Sequence, residues 1–199
     1  EYIWDKYERR GNLINIGGDP NDSFYRYKMP ALKTQITGRG NGIKTILNNI
    51  KEVAKAIGHP EEIITKHICY TLGSNWDSKK GTMTGKHDTH AIQEIINDYI
   101  LFFVLCESCK NPETMYFTEG KKKKIKLFIK CASCGFFPQV ETCAVSGTGS
   151  LKIVQGKSNE KLINFIKGYI SKNPMEISTE KKEYNKDLDV LNDFGDNIF

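Results

Sequence analysis

The sequence predicts an α+β chain: a small α/β core, then a ribbon built on four cysteines, with a flexible N-terminal arm and an acidic C-terminal tail. Three observations predict it. Two strongly amphipathic stretches lie among short β-prone runs in residues 30–104. Helical periodicity then disappears where two Cys-x-x-Cys pairs begin. Charge is also divided, with 26 Lys and Arg against 17 Asp and Glu in residues 1–175, but 3 Lys against 7 acids in residues 176–199. A basic body with an acidic tail points to a polyanionic partner; the plainer alternative is a Lys-rich soluble protein.

Composition narrows the class further. With 39% apolar and 27% charged residues the chain resembles ordinary globular proteins, which excludes wholesale disorder. The longest apolar run, Tyr99–Cys106, is eight residues. That is far short of the ~18 a membrane-spanning helix needs, so no membrane partner is expected. The chain opens on Glu1-Tyr2-Ile3-Trp4-Asp5, with neither a start Met nor a signal pattern, and reads as a fragment, a processed chain or the resolved part of a longer one.

The elements follow in order. Residues 1–29 show no sustained period and are read as the arm. Leu32–Thr37 is short and β-prone, a strand. Gly38-Arg-Gly-Asn-Gly42 is a loop. Ile43, Ile46, Leu47, Ile50, Val53, Ala54 and Ile57 share one face at a 3.6-residue period, predicting a helix that Gly58-His59-Pro60 stops. Glu61–Leu72 is a second, shorter helix running into a strand, and Gly73–Gly85 a hairpin. Asp88 can cap the next helix, whose buried face holds Ala91, Ile92, Ile95, Ile96, Tyr99, Ile100 and Phe103. Residues 105–142 form the ribbon. In residues 143–175 a loop-like stretch, Gly147–Gly156, leads to a last helix carrying Leu162, Ile163, Phe165, Ile166, Tyr169 and Ile170, with Ser158 as its cap. Asn173-Pro174 ends it. Residues 176–199 are an acidic linker.

Chemistry concentrates in the ribbon. Cys106-Glu-Ser-Cys109 and Cys131-Ala-Ser-Cys134 are separated by 21 residues. A two-residue spacer lets both sulfurs of a knuckle face one ion, and four thiolates close a tetrahedral shell. The pattern is a four-cysteine zinc ribbon holding one structural ion, with no open position for a substrate. Gly135 suits the tight turn after the second pair. Cys69 and Cys143 lack partners at ligand spacing. Lys121–Lys130 holds six Lys and no acid, either a phosphate-binding hairpin tip or a solvated loop.

Elsewhere the signals are weaker. Gly38–Thr45 is not a nucleotide-binding P-loop, because Ile43 separates Gly42 from Lys44. The loop either holds a phosphate at a helix N-terminus or is a plain strand-to-helix turn. No nucleophile–base arrangement stands out, and His87 and His90 suit capping or surface roles. Phe24-Tyr-Arg-Tyr-Lys-Met-Pro30 alternates aromatics with Arg26 and Lys28. Such a segment can stack on bases, present an arginine to another protein's site, or anchor an arm.

Five ordered blocks carry a family resemblance: Phe24–Pro30, Gly40–Thr45, Phe103–Cys106, Cys109–Thr114 and Cys131–Gly135. Over roughly residues 14–175 the chain resembles the N-terminal domain of the eukaryotic translation initiation factor 5 family. The beta subunit of initiation factor 2 is related, but Phe24–Pro30 points to factor 5. The resemblance implies a cytoplasmic, monomeric module that is not itself a hydrolase. It implies activation of GTP hydrolysis by initiation factor 2, bound to GTP and initiator tRNA, in the preinitiation complex on the small ribosomal subunit and its RNA. Arg26 is implied as an arginine finger acting in trans. Lys44 in the Gly-rich loop and Lys66 after the second helix are implied as supporting residues. The family's C-terminal helical-repeat domain, which binds factor 2 beta and factor 3, is absent from this sequence. Glu1–Asn12 and Cys143–Lys157 depart from the family pattern. Two other classes remain open: a non-catalytic module like the beta subunit of factor 2, and a generic zinc-ribbon RNA binder.

Overall fold

A hairpin of two three-residue strands opens the described structure and already departs from the expected mobile arm. The computed structural model describes residues 13–121, 124–141, 151–153 and 156–175; Glu1–Asn12, Cys143 and the acidic tail lie outside the described residues. Strand β1 (Leu13–Asn15) pairs antiparallel with β2 (Lys28–Pro30), matching Ile14 with Met29. Ile14, Ile16 and Met29 are all buried in the core. Burying each apolar side chain contributes ~1.5–3 kcal/mol, enough to hold a short segment down. From Leu13 onward the arm is therefore docked, not flexible. The sequence hides this because the buried positions, 14, 16 and 29, fall into two short stretches too brief to show a period.

A four-stranded antiparallel sheet follows, in the order β3 (Thr34–Thr37), β4 (Lys44–Leu47), β6 (Thr82–Thr84), β5 (Trp76–Asp77). Here the sequence-based helix over residues 43–57 is corrected. Its first part is strand β4, and helix α1 begins only at Ile50 and runs to Ile57. Burial alternates along β4, with Thr45 and Leu47 inside and Lys44 and Ile46 half-exposed. That period of two was concealed because Ile43, Ile46 and Leu47 also fit a helical face. The turn from β3 decides the outcome. Gly38 has φ +85°, and a Cβ there would stand 2.3 Å from the Gly42 carbonyl oxygen. Only glycine lets the chain reverse this tightly, so β4 folds back on β3 in the register Thr37 to Lys44.

Helix α2 (Glu61–Leu72) and helix α3 (Thr89–Tyr99) are as expected, and the Asp88 carboxylate caps α3 by accepting from the N–H groups of His90 and Ala91. α3 continues into one wide turn, Ile100–Val104, which delivers the chain to the first cysteine. The second sheet runs β10 (Leu151–Ile153), β9 (Gln139–Glu141), β8 (Lys126–Cys131), β7 (Thr114–Glu119). β10, parallel to β9, lies in the stretch expected to be a loop. Helix α4 (Lys157–Ile170) packs on α2, β7 and β8. Gly156 stands at its N-cap and Ser158 is not the cap; the Ser158 hydroxyl instead donates to the Tyr70 carbonyl at 3.4 Å.

One hydrophobic cluster joins all these parts. Ile64 and Ile68 of α2, Ile92 and Ile96 of α3, and Leu162 and Ile166 of α4 share it with Tyr116, Leu127 and Ile129 of the ribbon strands. Packing thus runs continuously across residue 104, where the sequence changes character.

Candidate metal centre and arginine loop

The two knuckles are built by matching backbone turns. In the first, the Lys110 N–H donates to the Cys106 carbonyl at 2.9 Å; in the second, the Gly135 N–H donates to the Cys131 carbonyl at 3.1 Å. Both turn residues have positive φ, +60° at Lys110 and +76° at Gly135. Gly135 adopts this freely, whereas Lys110 does so at a steric cost of ~1–2 kcal/mol. The four sulfurs of Cys106, Cys109, Cys131 and Cys134 converge within 4.8 Å of one another. The pairs Cys106–Cys134 and Cys109–Cys131 are 3.6 Å apart. Disulfide sulfurs would stand at about 2.05 Å, whereas sulfurs arranged tetrahedrally around an ion at ~2.3 Å stand about 3.8 Å apart. The donor set therefore fits one four-coordinate metal ion. Burial pushes the Cys131 thiol up to about 12, while a hydrogen bond from the Phe136 backbone draws exposed Cys134 down to about 7.

Arg26 sits on the loop that leads into β2, exposed to solvent. Its neighbours are fixed. The Tyr25 hydroxyl donates to the Ile16 carbonyl at 3.1 Å, and the Tyr27 hydroxyl donates to Glu113 Oε1 at 2.8 Å. Asn15 Nδ2 bridges the Asp19 and Asp22 carbonyls, both at 2.8 Å. The Arg26 guanidinium lies 5.7 Å from the centre of the Tyr27 ring and makes no hydrogen bond or ion pair among the described residues. Phe24 is 95% exposed beside it.

Glu113 is a residue that sequence reasoning missed. Its second carboxylate oxygen accepts from the Ser133 hydroxyl at 2.8 Å, and its carbonyl accepts from the Ala132 N–H at 2.8 Å. Ala132 and Ser133 fill the second knuckle, so Glu113 ties the arginine loop to the metal centre. Tyr27 and Glu113 lie 86 residues apart, and no local pattern signals such a pair.

The two lysines that the resemblance implies as supporting residues stand elsewhere. Lys44 is on strand β4, opposite Thr37 and Thr84, so the glycine loop before it turns a hairpin and does not open a helix. Lys66 lies within α2, not after it. Its ammonium stands 5.9 Å from the Tyr70 ring centre and 5.6 Å from that of Phe165, against α4. Arg26, Lys44 and Lys66 thus occupy three separate elements.

Two buried histidines were also missed. His59 bonds through Nδ1 to the Tyr99 hydroxyl at 2.8 Å and through Nε2 to the Thr114 carbonyl at 3.1 Å. Tyr99 meets the Tyr116 hydroxyl at 2.9 Å, extending the network into β7. The carbonyl partner makes Nε2 the protonated nitrogen, leaving Nδ1 to accept from Tyr99. His67 is buried between Tyr99 and Phe103, and its Nδ1 has no partner among the described residues.

A family model for a domain found in initiation factors 2B and 5 matches residues 18–137. The chain belongs to this family. The matched span of this initiation-factor domain contains Arg26, Lys44, Lys66 and all four clustered cysteines. Relatives agree with the family. The eukaryotic translation initiation factor 5 of Caenorhabditis elegans is 43% identical over 126 residues, covering 61% of this chain and 28% of the relative. The probable factor 5 of Schizosaccharomyces pombe is 41% identical over 127 residues, 62% of this chain and 32% of the relative. Probable factor 5-2 of Arabidopsis thaliana is 39% identical over 183 residues, 87% of this chain and 36% of the relative. The resemblance to the N-terminal domain of factor 5 is thereby shown, and the chain spans about a third of the length of these relatives. No helix among the described residues is long and apolar enough to cross a membrane.

Proposed function

We propose that this initiation-factor domain is the GTPase-activating part of a translation initiation factor. It supplies Arg26 in trans to initiation factor 2, bound to GTP and initiator tRNA, on the small ribosomal subunit. The observation that carries this reading is the presentation of Arg26: an exposed guanidinium, unpaired among the described residues, on a loop whose flanking tyrosines are both fastened by hydrogen bonds. A planar, permanently charged group can pair with phosphoryl oxygens, and a fixed base spares the entropy of positioning it. Arginine fingers raise phosphoryl-transfer rates by about 10³–10⁵. Lys44 supports from β4, and Lys66 from its aromatic contacts on α2. A structural zinc ion in the four-cysteine cluster holds the knuckle to which Glu113 ties the loop. The protein is an activator of a partner's hydrolysis and performs none itself.

The test is single-turnover GTP hydrolysis by factor 2–GTP–initiator tRNA on small subunits, with this chain or its Arg26→Ala variant added. The expected result is a rate loss of at least a hundredfold with binding retained. An unchanged rate with weakened binding would instead favour a non-catalytic module like the beta subunit of factor 2.

A further inference from the structure

The outer face of the ribbon sheet carries a surface that the arginine loop leaves unexplained. Along β7 and β8, Tyr116, Leu127 and Ile129 are buried in the core shared with α4. The alternate positions form the opposite face. There Phe117 pairs with Phe128, Met115 with Lys130 and Glu119 with Lys126 across the two strands. Phe137, from the turn after the second knuckle, is 42% exposed. It stacks on Phe128 at 5.1 Å and 22°, and meets Phe117 edge-on at 5.8 Å. The Lys130 ammonium lies 5.9 Å from the Phe117 ring centre. Lys126 and Lys130 are exposed on this face, and Lys121 and Lys124 are exposed at the hairpin end. Three clustered rings in partial contact with solvent therefore lie beside four exposed ammonium groups.

We infer that this face is a docking platform for single-stranded nucleic acid. Bases stack on Phe137, which Phe128 backs, while phosphates pair with Lys126 and Lys130. Charge complementarity selects this occupant. Lysine is depleted from protein–protein interfaces, whereas strand-binding surfaces combine aromatic platforms with basic side chains. Duplexes hide their base faces, so the rings favour an unpaired strand. RNA and DNA share base faces and phosphates, and the experiment must tell them apart. The inference does not rest on the role proposed for Arg26.

The experiment titrates the zinc-loaded chain against fluorescein-labelled strands of about ten nucleotides. RNA, DNA of the same sequence and duplex RNA are compared across a range of salt. Single strands are expected to bind at least tenfold tighter than the duplex, and the RNA-to-DNA ratio assigns the natural source. Phe137→Ala should weaken strand binding about tenfold at unchanged salt slope, because one stacking surface is lost. Phe137→Trp should restore it. Lys126→Gln and Lys130→Gln should each reduce the salt slope by about 0.7. Arg26→Ala should bind strands like the parent. Phe137 is an exposed side chain, and unchanged zinc content and thermal melting confirm that its variants fold. Equal affinity for duplex and single strand, or a Phe137→Ala effect below twofold, would overturn the inference. So would a Phe137→Ala variant that binds strands normally but loses a protein partner.

Discussion

Replacing His67 with leucine is expected to remove a large share of the protein's acid sensitivity. His67 lies within α2, buried against the Tyr99 ring at 5.5 Å and the Phe103 ring at 5.9 Å, with Nδ1 unpartnered among the described residues. Burial lowers its pKa to about 4, opposed only in part by a hydrogen bond with the Ile95 backbone. In the unfolded chain the same imidazole titrates near 6.5. The folded state therefore refuses a proton that the unfolded state accepts, and stability falls as pH drops from about 6.5 towards 4. Below that window both states are protonated and the contribution stays constant. Integrating between the two values gives a loss of about 2 kcal/mol on going from pH 8 to pH 5. The leucine variant lacks this term. Urea unfolding of both proteins, with equal excess zinc at each pH, isolates it, because the cysteine titrations are common to both. The difference between the two stabilities should grow by about 2 kcal/mol as pH falls from 8 to 5. Parallel pH profiles would refute the reasoning and show that the buried imidazole finds a partner or takes up its proton without penalty.

Three further outcomes are expected. Cys109→Ser, or chelation, should lower Tm by more than ~10 °C and reduce the helical circular dichroism signal, because Tyr116, Leu127 and Ile129 share their core with α2, α3 and α4. A helical signal indifferent to the metal would contradict that coupling. Gly38→Ala should cost about 1–3 kcal/mol, since the new Cβ meets the Gly42 carbonyl oxygen at 2.3 Å; at Gly40, where nothing lies within 4 Å, the same change should cost less. Denaturant midpoints of the two variants decide this. Tyr27→Phe should change stability by only about 1 kcal/mol yet lower GTPase stimulation about tenfold, since the loop bearing Arg26 loses its bond to Glu113; equal stimulation would separate that bond from function.

What could be read from the sequence was local. The knuckles announce themselves because each sulfur pair is set by a two-residue spacer, and the cluster at 106, 109, 131 and 134 forms as that spacing requires. Asp88 caps α3 because a cap reaches only two or three residues ahead. The failures came where distant partners decide. Residues 44–47 satisfy a helical period and a strand period equally, and pairing with β3 and β6 selects the strand. Ile14 and Met29 belong to stretches too short to show a period until the hairpin brings them together under α1. Lys66 looks like an available charge until Phe165, 99 positions later, lies beside it. His59 and His67 carry no flanking motif, so their burial is a property of the assembled core alone.

The Glu113 carboxylate has both oxygens committed, one to Tyr27 of the arginine loop and the other to Ser133 between the second pair of cysteines. Thermodynamic linkage is reciprocal, so an ion that steadies the knuckle also steadies the loop, and a partner that engages the loop tightens the hold on the ion by the same factor. On the role proposed for Arg26, ion affinity and partner affinity would then share one coupling, and each measured at equilibrium would report the other.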